Sequence, residues 1–231
     1  MARTDEDAHP YRGCSIFLVP ADADGVEVVR DVPHMGESGM SHAEMRYDNV
    51  RVPDGAVLGT ENAGFMIAQQ RLGPARLTHC MRFAGMAERA LDIAVAYASE
   101  RRAFGERLAD KQETRFKIAE AHTRLHAART MVRHAAGEIE DDKRARVPVA
   151  MCKTFAAKAV QDAVDTAVQV CGGNGIGKDL PLADFYENVR AFRIVDGADE
   201  VHKRSVAKRV FDDAADESEL ENLTRYGEFD G

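Results

Sequence analysis

The sequence predicts a mainly α-helical fold, in which a C-terminal four-helix bundle follows a partial antiparallel β domain. Short runs of β type, punctuated by Gly, Pro and Asp, occupy residues 1–60. From Asn62 onward the apolar residues recur at three- and four-residue spacing, which is typical of helices. Short links and alanine-rich faces favour close antiparallel packing of those helices. With 231 residues, the chain is long enough to bury a core.

Three β-type runs cover residues 14–19, 25–29 and 43–47, after an irregular start that ends near Arg12. They predict three strands of one antiparallel sheet. Three short strands rarely form an independent domain. We therefore expect them to pack against the helices or to pair with strands outside this chain.

Four helical runs are predicted within residues 61–211. The first begins near Pro74, because proline suits a first helical turn, and ends at Arg101. The third ends at a Gly172-Gly173 C-cap, and the last runs from about Asp199 to Val210. The apolar faces of the first three helices are Leu77, Cys80, Ala84, Ala87, Leu91, Ala94 and Ala98; Leu125, Ala128, Val132, Ala135 and Ile139; and Val149, Cys152, Ala156, Ala159, Ala163, Ala167 and Val170.

The net charge of -8 is concentrated in residues 212–231, where eight residues are acidic and one is basic. Such a segment is expected to be solvated and disordered. In the rest of the chain Lys and Arg alternate with Asp and Glu, so no basic surface for nucleic acid is predicted.

The cysteines indicate a reducing compartment. Cys14, Cys80, Cys152 and Cys171 are widely separated, which favours free thiols over disulfides. The N-terminus has no apolar signal region, and no run approaches the roughly 20 apolar residues of a membrane span. We therefore expect a soluble cytoplasmic protein that does not associate with membranes.

Two segments near the C-terminus suggest a cofactor contact and a general base. Residues 169–175 read Gln-Val-Cys-Gly-Gly-Asn-Gly, and residues 193–197 read Arg-Ile-Val-Asp-Gly. The glycines follow a predicted helix instead of a strand, so a helix stop is favoured over a dinucleotide fingerprint. A carboxylate at Asp196 would be a stronger base if Val195 shielded it from water, although it could equally cap the last helix.

Residues 100–105 read Glu-Arg-Arg-Ala-Phe-Gly and end the first long helix. Cations are favoured at a helix C-terminus, but a guanidinium followed by an aromatic ring also suits a pyrophosphate cofactor. His122 and His126 lie one helical turn apart without a third ligand, and no metal site is predicted.

Together with Gln-Glu-Thr-Arg-Phe-Lys-Ile-Ala-Glu at residues 112–120, these motifs resemble the acyl-CoA dehydrogenase family, in the family's order, over roughly residues 14–211. The resemblance implies FAD-dependent α,β-dehydrogenation of an acyl-CoA thioester. It implies a homodimer or homotetramer with FAD sites shared between subunits, and an electron-transfer flavoprotein as acceptor. It also implies that the family's N-terminal helical domain and the first half of its β domain are absent from this chain.

The resemblance assigns roles by position. Asp196 would abstract the α proton while a hydride passes to the flavin, although most relatives have the longer Glu there. Ala75 occupies the other position where some relatives carry the base. Arg76 and Gly197 would contact the substrate. The FAD contacts would be Arg101, Phe104, Gln112, Gln169, Gly172, Gly173, Ala198, Asp199 and Glu200.

Two alternatives remain open. In the first, the chain is a non-catalytic helical subunit that completes the FAD site of a partner chain. In the second, it is an acyl-CoA oxidase-type flavoenzyme, in which oxygen reoxidises the flavin. Because the family's N-terminal portion has no counterpart here, the resemblance implies a fragment, a subunit completed by a separately encoded partner, or a decayed copy.

Overall fold

The computed structural model of the protein describes residues 1–36, 42–140 and 145–217. Within these ranges the helices are α1 (Gly64–Glu100), α2 (Gln112–Glu140), α3 (Arg146–Cys171), α4 (Gly173–Ile176), α5 (Leu182–Ala191) and α6 (Asp199–Glu217). The strands are β1 (Ala2–Arg3), β2 (Cys14–Ser15), β3 (Val26–Asp31), β4 (Ala43–Tyr47), β5 (Arg102–Ala103) and β6 (Glu106–Arg107). The four long helices α1, α2, α3 and α6 confirm the predicted mainly α fold with a helical bundle.

The core lies where α1, α2 and α3 meet. Ala87, Ala90 and Ala94 of α1 are fully buried, as are Ala163 and Ala167 of α3. Alanine is a strong helix former and has a small side chain, so two helices lined with it can approach closely. The α1–α3 contact therefore becomes the centre of the bundle.

The N-terminal strands do not form the single sheet that the sequence predicts. β2 pairs with β1, and β3 pairs with β4, so the described strands make separate two-stranded antiparallel sheets. The predicted strand over residues 14–19 is regular only at Cys14 and Ser15, because Ile16 and Leu18 bond irregularly to residues 56–58. The segment expected to be irregular supplies β1, the missing partner of β2.

Helix α1 begins ten residues earlier than predicted, so Pro74 lies inside the helix instead of in its first turn. Proline removes one backbone donor, which costs an interior helical bond. The start of α1 is set by a close approach instead, because a Cβ added at Gly64 would lie 2.8 Å from the carbonyl oxygen of Cys14. The helix therefore starts where its backbone meets β2.

Helix α5 was not predicted, although Leu182, Phe185 and Val189 have helical spacing. Leu182, Val189 and the following Phe192 are fully buried. The Phe192 ring stacks on Phe83 of α1 with 4.6 Å between ring centroids. This contact fixes the beginning of the segment that leads to Asp196.

Helix α6 continues past the predicted end at Val210 to Glu217. The first six residues of the predicted disordered tail are therefore helical. Ion pairs one turn apart, Lys208 with Asp212 and Arg209 with Asp213, support this extension. Residues 218–231 of the predicted tail lie outside the described part of the chain.

Replacing Leu91 by alanine should destabilise the bundle. Leu91 is fully buried in α1, and the cavity left by such a change costs about 2–5 kcal/mol. Val95 on the same helix is 43% exposed, so Val95→Ala should change stability by less than about 0.5 kcal/mol. Urea unfolding followed by circular dichroism measures both, and similar losses in the two variants would contradict this packing.

Candidate active site and cofactor surface

The candidate active site is the turn between α5 and α6. Asp196 has φ 57° and Gly197 has φ 102°, so both residues adopt left-handed backbone conformations. Such a conformation is uncommon for residues other than glycine, although aspartate adopts it more readily than most, and it is common for glycine. A Cβ added at Gly197 would also lie 3.0 Å from Nε2 of His202. The turn therefore requires glycine at 197 and keeps Asp196 in an unfavourable conformation.

The carboxylate of Asp196 points toward α1. Its Oδ2 atom lies 2.6 Å from Nδ1 of His79, and the two side chains are 14% and 29% exposed, respectively. Neither atom makes a hydrogen bond of good angular geometry, so the pair is a close polar contact between buried atoms. Among the described residues, the Asp196 side chain makes this contact with His79 and no hydrogen bond to the first turn of α6, contrary to the capping alternative.

Sequence reasoning missed His79. The sequence did contain a sign of its role: His79 follows Arg76 by three residues, and residues three apart lie on one face of a helix. Both side chains come from the same face of α1 and both reach Asp196.

The two carbonyl groups of the turn are held by cationic side chains. Nε of Arg76 donates to the carbonyl oxygen of Asp196 at 2.9 Å, and Nζ of Lys153 donates to that of Gly197 at 2.8 Å. Nε2 of His202 lies 3.3 Å from the Asp196 carbonyl oxygen. Arg76, predicted from the resemblance to contact substrate, is thus placed beside the candidate base.

Burial changes the protonation behaviour of these groups. It lowers the pKa of the Arg76 guanidinium, and the neighbouring Asp196 opposes this effect. Burial also lowers the pKa of His202, and the charges of Arg76 and Lys153 lower it further. A neutral His202 with its proton on Nε2 can donate to the Asp196 carbonyl.

The residues after the turn differ in exposure. The Asp199 carboxylate is 2% exposed and binds Nζ of Lys153 at 3.4 Å and Nε of Arg193 at 2.7 Å. Ala198 is partly buried, and Glu200 is exposed. The Asp199 side chain therefore faces α3, and the cofactor contacts of all three residues stay predictions.

The apolar residues before Asp196 are themselves exposed within the described chain. Val195 is 38% exposed and Ile194 is 61% exposed. Oδ2 of Asp196 is nevertheless buried, and the shielding expected from Val195 stays a prediction.

A second group of predicted residues lies at the other end of the bundle. Arg101 follows the last residue of α1, and Phe104 with Gly105 forms the tip of the β5–β6 hairpin. Phe104 has φ 55° and is 98% exposed. A positive φ costs conformational energy for a large aromatic residue, and an exposed ring contributes no burial to offset that cost. Such a residue indicates a functional constraint.

The glycine turn that follows α3 belongs to the same end. Gly172, with φ 57°, ends α3 as predicted, and a Cβ added there would meet nothing within 4 Å. Gly175 is needed for a close approach, because its Cβ would lie 2.4 Å from the Val168 carbonyl oxygen. The exposed Gln169 precedes this turn. Gln112 begins α2, shortly after the β5–β6 hairpin in the sequence.

The two groups are far apart in one chain. Cys80 of α1 and Cys152 of α3 contact each other, and two short connections make α1 and α3 run in the same direction. Arg101 and Gly172 each lie about 20 residues beyond that contact, so both are near one level of the bundle. That level is roughly 30 Å from His79 and Asp196 at 1.5 Å of rise per residue.

Two features were not found in the described part of the chain. No group of three or more His, Cys, Asp or Glu side chains there is arranged to hold a metal ion. His122 and His126 line a pocket with Glu88 and Arg129, which bind each other. Among the same residues, no helix has both the length and the apolarity to cross a bilayer.

Residues 62–211 match the family described as acyl-CoA dehydrogenase, C-terminal domain. The chain is 44% identical over 211 residues to the probable acyl-CoA dehydrogenase FadE2 of Mycobacterium tuberculosis, covering 90% of this chain and 52% of that protein. It is 38% identical over 206 residues to human acyl-CoA dehydrogenase family member 11, covering 87% of this chain and 26% of that protein.

The same likeness appears among solved structures. A putative acyl-CoA dehydrogenase from Mycobacterium abscessus superposes with a TM-score of 0.85 at 38% identity, covering 90% of this chain and 52% of that chain. The chain thus spans about half the length of FadE2 and of this structure. Because the family match covers more than half of the residues and the bundle superposes on a relative's, the chain belongs to the acyl-CoA dehydrogenase family.

Proposed function

We propose that the chain takes part in FAD-dependent α,β-dehydrogenation of an acyl-CoA thioester, with Asp196 as the base that removes the α proton. The observation that carries the proposal is the Asp196 turn. A strained backbone aims a largely buried carboxylate at His79, and Arg76 holds the carbonyl of the same residue. Strain of this kind collects at functional sites.

A fixed carboxylate suits proton abstraction from a carbon acid. The base must lie within hydrogen-bond reach of the proton, and an error of about 1 Å can reduce the rate roughly a hundredfold. Aspartate is one methylene shorter than the glutamate common in the family. The left-handed turn and the Arg76 bond therefore position a short side chain that has little room to adjust.

The second surface fits a dinucleotide cofactor such as FAD. It offers the guanidinium of Arg101, the exposed ring of Phe104 and an open glycine turn at Gly172. A guanidinium binds a pyrophosphate in bidentate fashion, and a glycine lets a ligand approach the backbone closely. When bound, FAD would supply the hydride acceptor. Gln112, Gln169 and Gly173 would border the same surface.

The distance between the two surfaces supports a shared site. They lie roughly 30 Å apart along α1, so one cofactor end cannot touch both within a single chain. A homodimer or homotetramer would place Arg101 of one copy near the Asp196 turn of another. The copy that carries the base would then contact the cofactor through the start of α6, at Ala198, Asp199 and Glu200.

The specific competing function is a non-catalytic subunit that completes a partner's FAD site. It is favoured by the exposure of Val195 beside Asp196. For the catalytic form we propose an electron-transfer flavoprotein as acceptor, in the cytoplasm. Oxygen consumption on addition of acyl-CoA would instead identify an oxidase.

Asp196→Asn should slow flavin reduction by acyl-CoA by roughly a hundredfold to ten-thousandfold, because the amide cannot accept the proton. Binding of FAD should not weaken. Stopped-flow bleaching of the flavin band measures the rate, and fluorescence quenching measures FAD affinity. Asp92→Asn, an exposed change on α1, is the control and should behave as the unchanged protein. Full activity in Asp196→Asn would leave only the non-catalytic function standing.

Arg101→Ala should weaken FAD binding about tenfold or more, which is the usual effect of losing a hydrogen bond to a charged group. Arg89→Ala, at an exposed position on the same helix, should leave the affinity unchanged. Equal affinities in the two variants would remove Arg101 from the cofactor surface.

Mixing Arg101→Ala with Asp196→Asn should restore activity at limiting FAD. In a symmetric dimer with shared sites, half of the molecules are mixed and each contains one intact site, so about a quarter of the full activity returns. The assay is flavin reduction after co-refolding equal amounts of the two variants. If each site lay within one chain, no mixture would exceed the activity of the variants measured separately.

A further inference from the structure

A lysine side chain is buried between α3 and the start of α6. Lys153 of α3 is fully buried, with a solvent exposure of 0%. Removing an ammonium group from water is expensive, so buried lysines need close partners. Sequence analysis did not single out Lys153, since it sits between apolar positions of an alanine-rich helix.

Three groups surround the ammonium. Nζ of Lys153 donates to the carbonyl oxygen of Gly197 at 2.8 Å, lies 3.4 Å from Oδ1 of Asp199, and lies 5.2 Å from the centroid of the Phe192 ring. Burial lowers the pKa of Lys153, while Asp199 opposes this effect. The shortest of these polar contacts goes to the turn and not to the counter-ion.

The turn needs such a donor. Gly197 and the preceding Asp196 are both left-handed, and neither carbonyl accepts a backbone N–H among the hydrogen bonds of the described loops and caps. A buried carbonyl without a partner costs about 1–3 kcal/mol. A strained conformation persists only when its surroundings determine it fully. Lys153 satisfies the carbonyl that Arg76 does not reach.

We propose that Lys153 is a positioning residue for Asp196, which acts by holding the Gly197 carbonyl and so fixing the strained turn that aims the carboxylate. The inference rests on the proposed function, in which Asp196 is the base. Asp199 and Arg193 complete the arrangement by neutralising the ammonium and anchoring the start of α6. The competing explanation is that Lys153 only balances the charge of Asp199.

The test separates the hydrogen bond from the charge balance. Lys153→Met alone leaves the buried Asp199 paired with Arg193 but without its second cation, which is destabilising. Lys153→Met/Asp199→Leu removes both charges and leaves the Gly197 carbonyl without its donor. Lys153→Gln/Asp199→Leu has the same net charge but keeps an amide that can donate to this carbonyl.

Backbone ¹⁵N relaxation of the chain provides a readout that does not require activity. We expect order parameters near 0.85 at Asp196 and Gly197 in the unchanged protein, and below about 0.6 in the Met variant. The Gln variant should return toward the unchanged value. The rate of flavin reduction at saturating FAD and acyl-CoA should be at least tenfold lower in the Met variant than in the Gln variant. Both variants lack the Asp199 carboxylate, so any loss of its predicted FAD contact is common to the two.

The matched control is Lys158→Met/Asp162→Leu, which removes an exposed ion pair from the same helix. It should change neither readout. Order parameters and rates of the Met variant equal to those of the unchanged protein would show that Lys153 only balances charge. If neither the Met nor the Gln variant folds, Lys153 is a core residue and the proposal is overturned. A loss of order without any effect of Asp196→Asn on the rate would place the failure in the proposed function instead.

Discussion

The close contact between α1 and α3 is the constraint on which both candidate surfaces depend. Alanines that are fully buried on the two helices let the backbones approach, and the short connections make the helices run in one direction. Residues at one level of α1 therefore meet residues at the same level of α3. Arg76, His79 and Lys153 meet the Asp196 turn at one level, and Arg101 and Gly172 belong to the other.

The environment of Asp196 is an electrostatic compromise. Arg76 and Lys153 bring positive charge to the two carbonyls of the turn, while Asp199 balances the buried ammonium. Such a buried pair contributes little net stability, since desolvation offsets most of the attraction. Its physical effect is to select one backbone path. The geometry around Asp196 is thus maintained by interactions that a purely apolar core would not supply.

The separation of the two surfaces links the fold to assembly. A single bundle presents a carboxylate at one level and a cationic, aromatic and glycine-rich surface roughly 30 Å away. Neither surface is complete, because Val195 and Phe104 are left exposed where a ligand or another chain would cover them. This separation is the basis for the proposal that the sites form between copies of the chain.

Local chemistry in the sequence by itself determined the helical runs, the stop at Gly172 and the positions of Arg101, Phe104 and Asp196. Three-residue spacing and glycine at a helix end act within a few residues, so they can be read without a fold. Only the tertiary structure decided that Pro74 lies inside α1 and that β2 pairs with β1. It alone placed His79 and Lys153 against the Asp196 turn, because these contacts join residues more than forty positions apart. Their pairing depends on how the helices pack, and no local pattern encodes the level at which two helices meet.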